Sequence, residues 1–286
     1  MPQELFEPRK RIESEYRSLI LKLLDRYLAI PEWATLGQIN EALVRWSQIS
    51  RFFEQAAESI AARMVTQTKI ANARNWREAA RKGSRGREIY ESLRSEMGTE
   101  IGFRVEQLVR ENAALISSLP EEIREATNRE IARMTQEGLR ASNIAKYLQK
   151  RVPEITRSRA MLVARTETAK ANTALVQARS EELSVPWYQW ETSRDGRVRR
   201  SHRHMQSVLV SWDDPPSPEK LVGEKSKLGA YHAGSCPNCR CYPEVLLRLS
   251  NVQWPKKVYS NGRIQSMTRT TFYHRFLEGT SARIFS

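Results

Sequence analysis

Apolar side chains recur along the first half of this chain with a helical period. Between Pro8 and Ile30 they fall at Ile12, Tyr16, Leu19, Ile20, Leu23, Leu24 and Tyr27, the stripe of an amphipathic helix, and Pro31 ends it by restricting the residue before it. A longer pattern runs from about Gly37 to Lys82 through Ile39, Leu43, Trp46, Ile49, Phe53, Ile60 and Met64. Its length predicts a helix that is either extended or broken once. The run Gly83-Ser84-Arg85-Gly86 reads as the clearest break, followed by a shorter helix to about Met97. A further stripe holds Ile101, Val105, Leu108, Val109 and Leu115, and Pro120-Glu121-Glu122 reads as a new helix start, with proline at the first position and acids against the positive end of the dipole.

Around Gly138 the sequence predicts a helix, a glycine-centred turn and a second helix from near Ser142. This is the outline of a helix-turn-helix, a weak signal alone, and an αα-hairpin packing on the next helix is the preferred reading. After Pro153 a helix is expected to about Leu183, with Ile155, Leu162, Val163, Thr166, Ala169, Leu175 and Val176 on its apolar side. At Pro186 the period changes from helical to alternating. Segments 187–193 and 206–212 read as strands joined through the Asp-Gly turn at Arg194–Arg197, 213–220 as a proline-rich loop, and 241–249 as a third strand. The fold class expected is α+β: a mainly helical region over 1–119, a small α+β module over 120–250, and an extended basic, aromatic-rich arm over 251–286.

Charge sharpens this outline. The 286 residues are 40% hydrophobic and 28% charged, with a net charge of +14. Such a balance predicts long solvated helices and an acidic partner, either nucleic acid or an acidic protein surface. Arg194, Arg197, Arg199, Arg200 and Arg203 crowd around the one acid Asp195, and alternation keeps some of them outside, free for DNA or an acidic partner. A second basic group, Arg74, Arg77, Arg81, Lys82, Arg85 and Arg87, surrounds the predicted break and reads as a solvated helix face. In the arm, Lys256, Lys257, Arg263, Arg269, Arg275 and Arg283 alternate with Trp254, Tyr259, Phe272, Tyr273, Phe276 and Phe285. That mixture suits either nucleic acid, by charge and stacking, or a neighbouring subunit on which the arm orders. No stretch is long and apolar enough for a membrane span, and no apolar core follows a basic start, so assembly in the cytoplasm is expected.

The chemistry is concentrated. All three cysteines and three of the four histidines lie between His202 and Cys241. His232, Cys236, Cys239 and Cys241 make up a full set of the nitrogen and sulfur ligands that structural zinc takes, although a second CxxC is missing. Two other readings stand beside it: small buried thiols at a strand start, or a Cys236–Cys239 disulfide. Asp195, His202 and His204, with Glu167, Arg165 and Arg199, suggest a metal-dependent nuclease only faintly, because carboxylates are too few. A structural polar network fits better. Asp195 accepts from Arg199, His202 donates to a backbone carbonyl, and Arg165 and Glu167 join from the helix, with Asn238 and Arg240 completing the set.

Three strings, ARTETAKAN at 164–172, WETSRDGRVRRSH at 190–202 and HAGSCPNCRC at 232–241, resemble the phage Mu protein F family of minor head proteins. Arg165, Thr166 and Glu167 match its first motif; Asp195, Val198, Arg199 and His202 the second; Asn238, Cys239, Arg240 and Cys241 the third. The resemblance covers residues 120–250 and implies a low-copy structural protein without enzymatic activity. It further implies incorporation into the phage head near the portal, contact with capsid or scaffold proteins, and proximity to packaged double-stranded DNA. The rival reading is a nucleic-acid-binding or DNA-processing protein with a zinc-stabilised Cys/His module.

Overall fold

The computed structural model describes residues 5–48, 51–82, 86–94 and 100–279. Two compact units emerge, one from Met1–Arg9, Thr66–Glu106 and Thr166–Ser286, the other from Lys10–Val65 and Gln107–Arg165. This division does not follow the sequential one expected, because three long helices each supply residues to both units.

The second unit is helical. It holds α1 (Lys10–Leu28), α2 (Leu36–Trp46) and the first part of α3 (Arg51–Lys82), with most of α5 and the first half of α6. The long pattern after Gly37 is thus broken once, after Trp46. Thr35 caps α2 with a reciprocal box, its hydroxyl accepting from the Gln38 amide while Gln38 accepts from the Thr35 amide. A buried hydrogen bond, Tyr16 Oη to Asn112 Oδ1 at 2.9 Å, pins α1 to α5. The Gly83–Arg85 part of the expected break lies outside the described residues. Beyond it comes α4 (Gly86–Arg94).

Helix α5 (Glu100–Gln136) runs straight through Pro120, and α6 (Ala141–Glu182) through Pro153. Pro120 was expected to start a helix. Ile116, Leu119 and Ile123 are all buried, so the apolar stripe continues across the proline, and tertiary burial outweighs the one lost donor. Between α5 and α6, Gly138 adopts φ +75°, and the Leu139 amide reaches back to Met134 while the Gly138 amide reaches Thr135. That Schellman closure makes the αα-hairpin preferred from sequence.

The first unit carries a sheet ordered β3-β1-β2-β4-β5, built from β1 (Trp187–Glu191), β2 (Leu209–Ser211), β3 (Tyr242–Val245), β4 (Lys256–Ser260) and β5 (Arg263–Met267). β1 pairs antiparallel with β2 and β3; β2 runs parallel to β4 through Leu209 and Val258. Alternation along β1 sends Tyr188 and Trp190 to one face with Val210, Trp212 and Val176 of α6. Trp187 goes to the other face with Leu209, Val258 and Phe272. Both faces are therefore covered.

The chain between β1 and β2 is no tight hairpin. It includes α7 (Arg200–His204), and the Asp195 carboxylate accepts the Arg197 amide in a local turn. α8 (Pro218–Leu221) follows β2. The described part of the expected arm folds into the β4–β5 hairpin, turned by Asn261 and Gly262 at φ 50° and 77°, and into α9 (Arg269–Phe276). Phe272 of α9 meets Trp187 edge-on, so aromatic burial holds this segment to the sheet. Arg283 and Phe285 lie outside the described residues. Among the described residues no helix is long and apolar enough to cross a membrane.

Candidate functional site

Behind β1, where α6 packs on the sheet, polar groups converge in an apolar setting. His202, Cys236, Cys239 and Cys241 are all buried, His202 at 2% exposure. One turn of α7 carries His202 inward beside Ser201, which is also buried, while Arg200 and Arg203 face outward. The cysteines sit on the loop that leads into β3.

That loop is held by α6. The Asn238 amide donates to Thr166 Oγ1 at 2.9 Å, and Thr173 Oγ1 donates to the Ala233 carbonyl at 2.7 Å. Gly234 stands between them at φ +87°, where an added Cβ would lie 2.6 Å from Thr173 Oγ1 and 2.8 Å from the Cys241 carbonyl. Only glycine fits that left-handed, crowded position. Asn238 also takes the left-handed region at φ 59°, a conformation asparagine tolerates.

Around His202 each nitrogen has defined neighbours. Nε2 lies 2.9 Å from Tyr231 Oη, which itself donates to Glu219 at 2.7 Å from Oε1 and 2.9 Å from Oε2. Ser201 Oγ also donates to Glu219 at 3.2 Å. Since the single Tyr231 proton goes to the carboxylate, its oxygen accepts from Nε2–H. Nδ1 faces the thiols, 3.3 Å from Cys241 Sγ and 3.5 Å from Cys239 Sγ. Cys236 Sγ stands 3.8 Å from Nε2 and receives Arg199 Nη1 at 3.0 Å; Arg199 Nη2 donates to the Pro237 carbonyl at 2.7 Å. The Cys241 amide points at Cys239 Sγ from 3.3 Å.

Burial opposes a charge on His202, yet hydrogen bonds and charge from Cys236 and Cys239 outweigh it and push its pKa up to about 9. The Cys236 thiol is raised by its hydrogen bond to Cys239 and by burial, against the pull of His202. Tyr231 is raised by burial and by its bond to Glu219, which keeps the phenol protonated.

The expected sites are redistributed. His232, expected among the metal ligands, turns away: its Nδ1 lies 3.2 Å from Tyr188 Oη, its ring packs edge-on to Trp212, and burial lowers its pKa to about 4. The place beside the cysteines belongs to His202, because α7 interrupts the expected hairpin and turns it inward. Asp195 pairs with Arg240 at 2.9 Å, not with Arg199, and His202 donates to a phenol, not a carbonyl. Arg165 Nε reaches Glu13 at 3.5 Å, and Glu167 receives Lys170 at 2.9 Å. Of the Arg-Thr-Glu motif, the Thr166 hydroxyl accepts from the cysteine loop.

Among the expected basic contacts, Arg194 bonds the buried Glu191 at 2.9 Å. Lys256 is half-buried, which lowers its pKa although Glu191 counters this. Arg197, Arg200 and Arg203 are exposed on and before α7, and Lys257, Arg263 and Arg269 on the hairpin and α9. Sequence reasoning missed Tyr231, Glu219 and Glu191. Tyr231 adjoins His232 in the motif, but nothing local marks Glu219 inside a proline-rich stretch.

A small α+β module with a helix-anchored Cys/His loop is thus the class of structure present. The family model for phage Mu protein F like proteins matches residues 121–243, within the segment that carried the resemblance. A protein of uncharacterised function from Haemophilus influenzae is 30% identical over 138 residues, 48% of this chain and 28% of the relative. The chain therefore spans under a third of the relative it matches. No solved structure matches the chain.

Proposed function

We propose that this chain is a minor head protein of a tailed bacteriophage, built into the prohead in few copies near the portal vertex, with a basic surface toward packaged DNA. The observation carrying this reading is the convergence of the second and third family motifs on one buried site, tied to the first through Thr166. Such a buried site sets the shape of a module. The reading predicts no catalysis by these residues.

Support for the DNA contact is the net charge of +14 with Arg197, Arg200 and Arg203 exposed and without ion pairs among the described residues. Each phosphate neutralised releases counterions, so affinity falls steeply with salt. Replacing these three arginines by alanine together should lower the slope of log affinity against log salt by about two to three. An acidic portal or scaffold surface would use the same face.

Quantitative mass spectrometry of purified virions and proheads, with crosslinking to portal, tests the assignment. A low, fixed copy number with crosslinks to portal is expected. Absence from both particles would overturn it. Salt-sensitive DNA binding by the chain together with that absence would favour the nucleic-acid-binding protein instead.

A further inference from the structure

We infer that His202, Cys236, Cys239 and Cys241 together bind one structural zinc ion, with His202 ligating through Nδ1 and His232 taking no part. Tetrahedral zinc with Zn–S near 2.3 Å and Zn–N near 2.0–2.1 Å separates its ligand atoms by about 3.5–3.8 Å. Nδ1 stands at 3.5 Å from Cys239 Sγ and 3.3 Å from Cys241 Sγ, close to two edges of that tetrahedron. Ligand atoms of His202, Cys236 and Cys239 also lie within 4.8 Å of one another. Cys241 falls outside that group of three, and Cys236 Sγ stands 3.8 Å from Nε2, so binding requires the Cys236 and Cys241 sulfurs to draw together about Nδ1.

Three further features support a metal over a group of buried thiols. Metal-bound histidines present their second nitrogen to a carboxylate or other acceptor, which fixes the tautomer. Here Nε2–H goes to Tyr231 and onward to Glu219, so Nδ1 is the nitrogen directed at the cysteines and the one left to ligate once any proton on it is displaced. Second, the Cys241 amide and the Arg199 guanidinium both donate to cysteine sulfurs, contacts that stabilise thiolates. Third, thiolates and imidazole select zinc among the common cations, and four ligands that are all buried suit a closed, structural site. On binding, zinc displaces the thiol protons and any proton on Nδ1 to solvent, with no change of oxidation state.

The mechanical consequence is specific. His202 comes from α7, between β1 and β2, whereas the cysteines come from the loop before β3. One ion would therefore join the two connections flanking the central strand, adding its binding free energy to the folded state.

The test uses the whole chain purified from zinc-supplemented cells. Elemental analysis with native mass spectrometry should find about one zinc per chain, at the closed four-ligand count. X-ray absorption at the zinc edge should resolve three sulfurs and one nitrogen. H232F should keep the metal, while H202F and C239S/C241S should lose it. No zinc in the wild-type chain, a coordination shell of oxygens and nitrogens, or loss of metal in H232F with retention in H202F would each overturn the inference. Cobalt(II) replacement in the wild-type chain gives a second reading independent of whether the variants fold. Thiolate charge-transfer bands with tetrahedral visible bands support the site, and an octahedral spectrum counts against it.

Discussion

The Asn238 backbone amide donates to the Thr166 hydroxyl at 2.9 Å, across 72 positions of sequence. This bond joins the helix motif to the cysteine loop, the two most widely separated parts of the family pattern. The function of Thr166 is therefore positional: it orients the turn that presents Cys239 and Cys241 to His202.

Replacing Thr166 by valine keeps its volume and β-branching but removes the acceptor. We expect a loss of about 1 kcal/mol in unfolding free energy, with serine restoring most of it. Chemical denaturation of the three proteins checks this, and equal stability of valine and threonine variants would show the bond to be idle.

Gly234→Ala should be costlier. Its Cβ would meet Thr173 Oγ1 at 2.6 Å and the Cys241 carbonyl at 2.8 Å, on a backbone at φ +87°. Left-handed strain and overpacking together predict a destabilisation of about 3 kcal/mol, read by the denaturant midpoint. A midpoint unchanged from wild type would mean that the loop shifts freely.

Tyr231→Phe removes the hydroxyl that bridges His202 Nε2 to Glu219. It leaves the buried Glu219 carboxylate with the Ser201 hydroxyl and the His202 ring, 3.7 Å away, and should cost about 1–3 kcal/mol. If zinc is bound, its affinity should fall by about 10–100-fold, measured by competition with a chelator. Equal affinity would separate the bridge from the metal.

The surface pair Asp195–Arg240 gives the opposite expectation. Their side chains are 35% and 24% exposed, and solvent screens the interaction. Asp195→Asn should change stability by less than about 1 kcal/mol. A larger loss, seen by thermal or denaturant unfolding, would point to the Asp195 bond with the Arg197 amide instead.

His232 supplies a pH signature. Burial lowers its folded pKa to about 4 from an ordinary 6.5. The unfolded chain therefore binds a proton first as pH falls, so stability drops from about pH 6.5 to pH 4 and is unaffected by this group above that window. The contribution is at most about 3 kcal/mol. His232→Phe should flatten that part of the stability curve, whereas identical wild-type and variant curves would remove His232 as its source.

Local pattern made much of the fold legible. The stripe through Ile12, Tyr16, Ile20 and Leu24 defines α1, and the alternation in 187–191 defines β1, because period reports which side of an element is buried. The Asn261-Gly262 pair was an equally local signal of the β4–β5 hairpin, obscured by the density of basic residues around it. Pro120 was misleading for the converse reason: a local breaker lost to burial of Ile116, Leu119 and Ile123 on either side.

The candidate site divides in the same manner. Cys236, Cys239 and Cys241 were visible as possible ligands from spacing, and the three motif strings already marked the module. Which histidine joins the cysteines was not visible, since His232 is nearer in sequence but lies against Tyr188 and Trp212. His202 reaches the sulfurs because α7 lies between antiparallel β1 and β2, and Glu219 reaches Tyr231 from a separate short helix. Composition, period and spacing are properties of neighbouring residues and can be read along the chain. The partner of a side chain depends on which faces pack together, and that choice belongs to the folded whole.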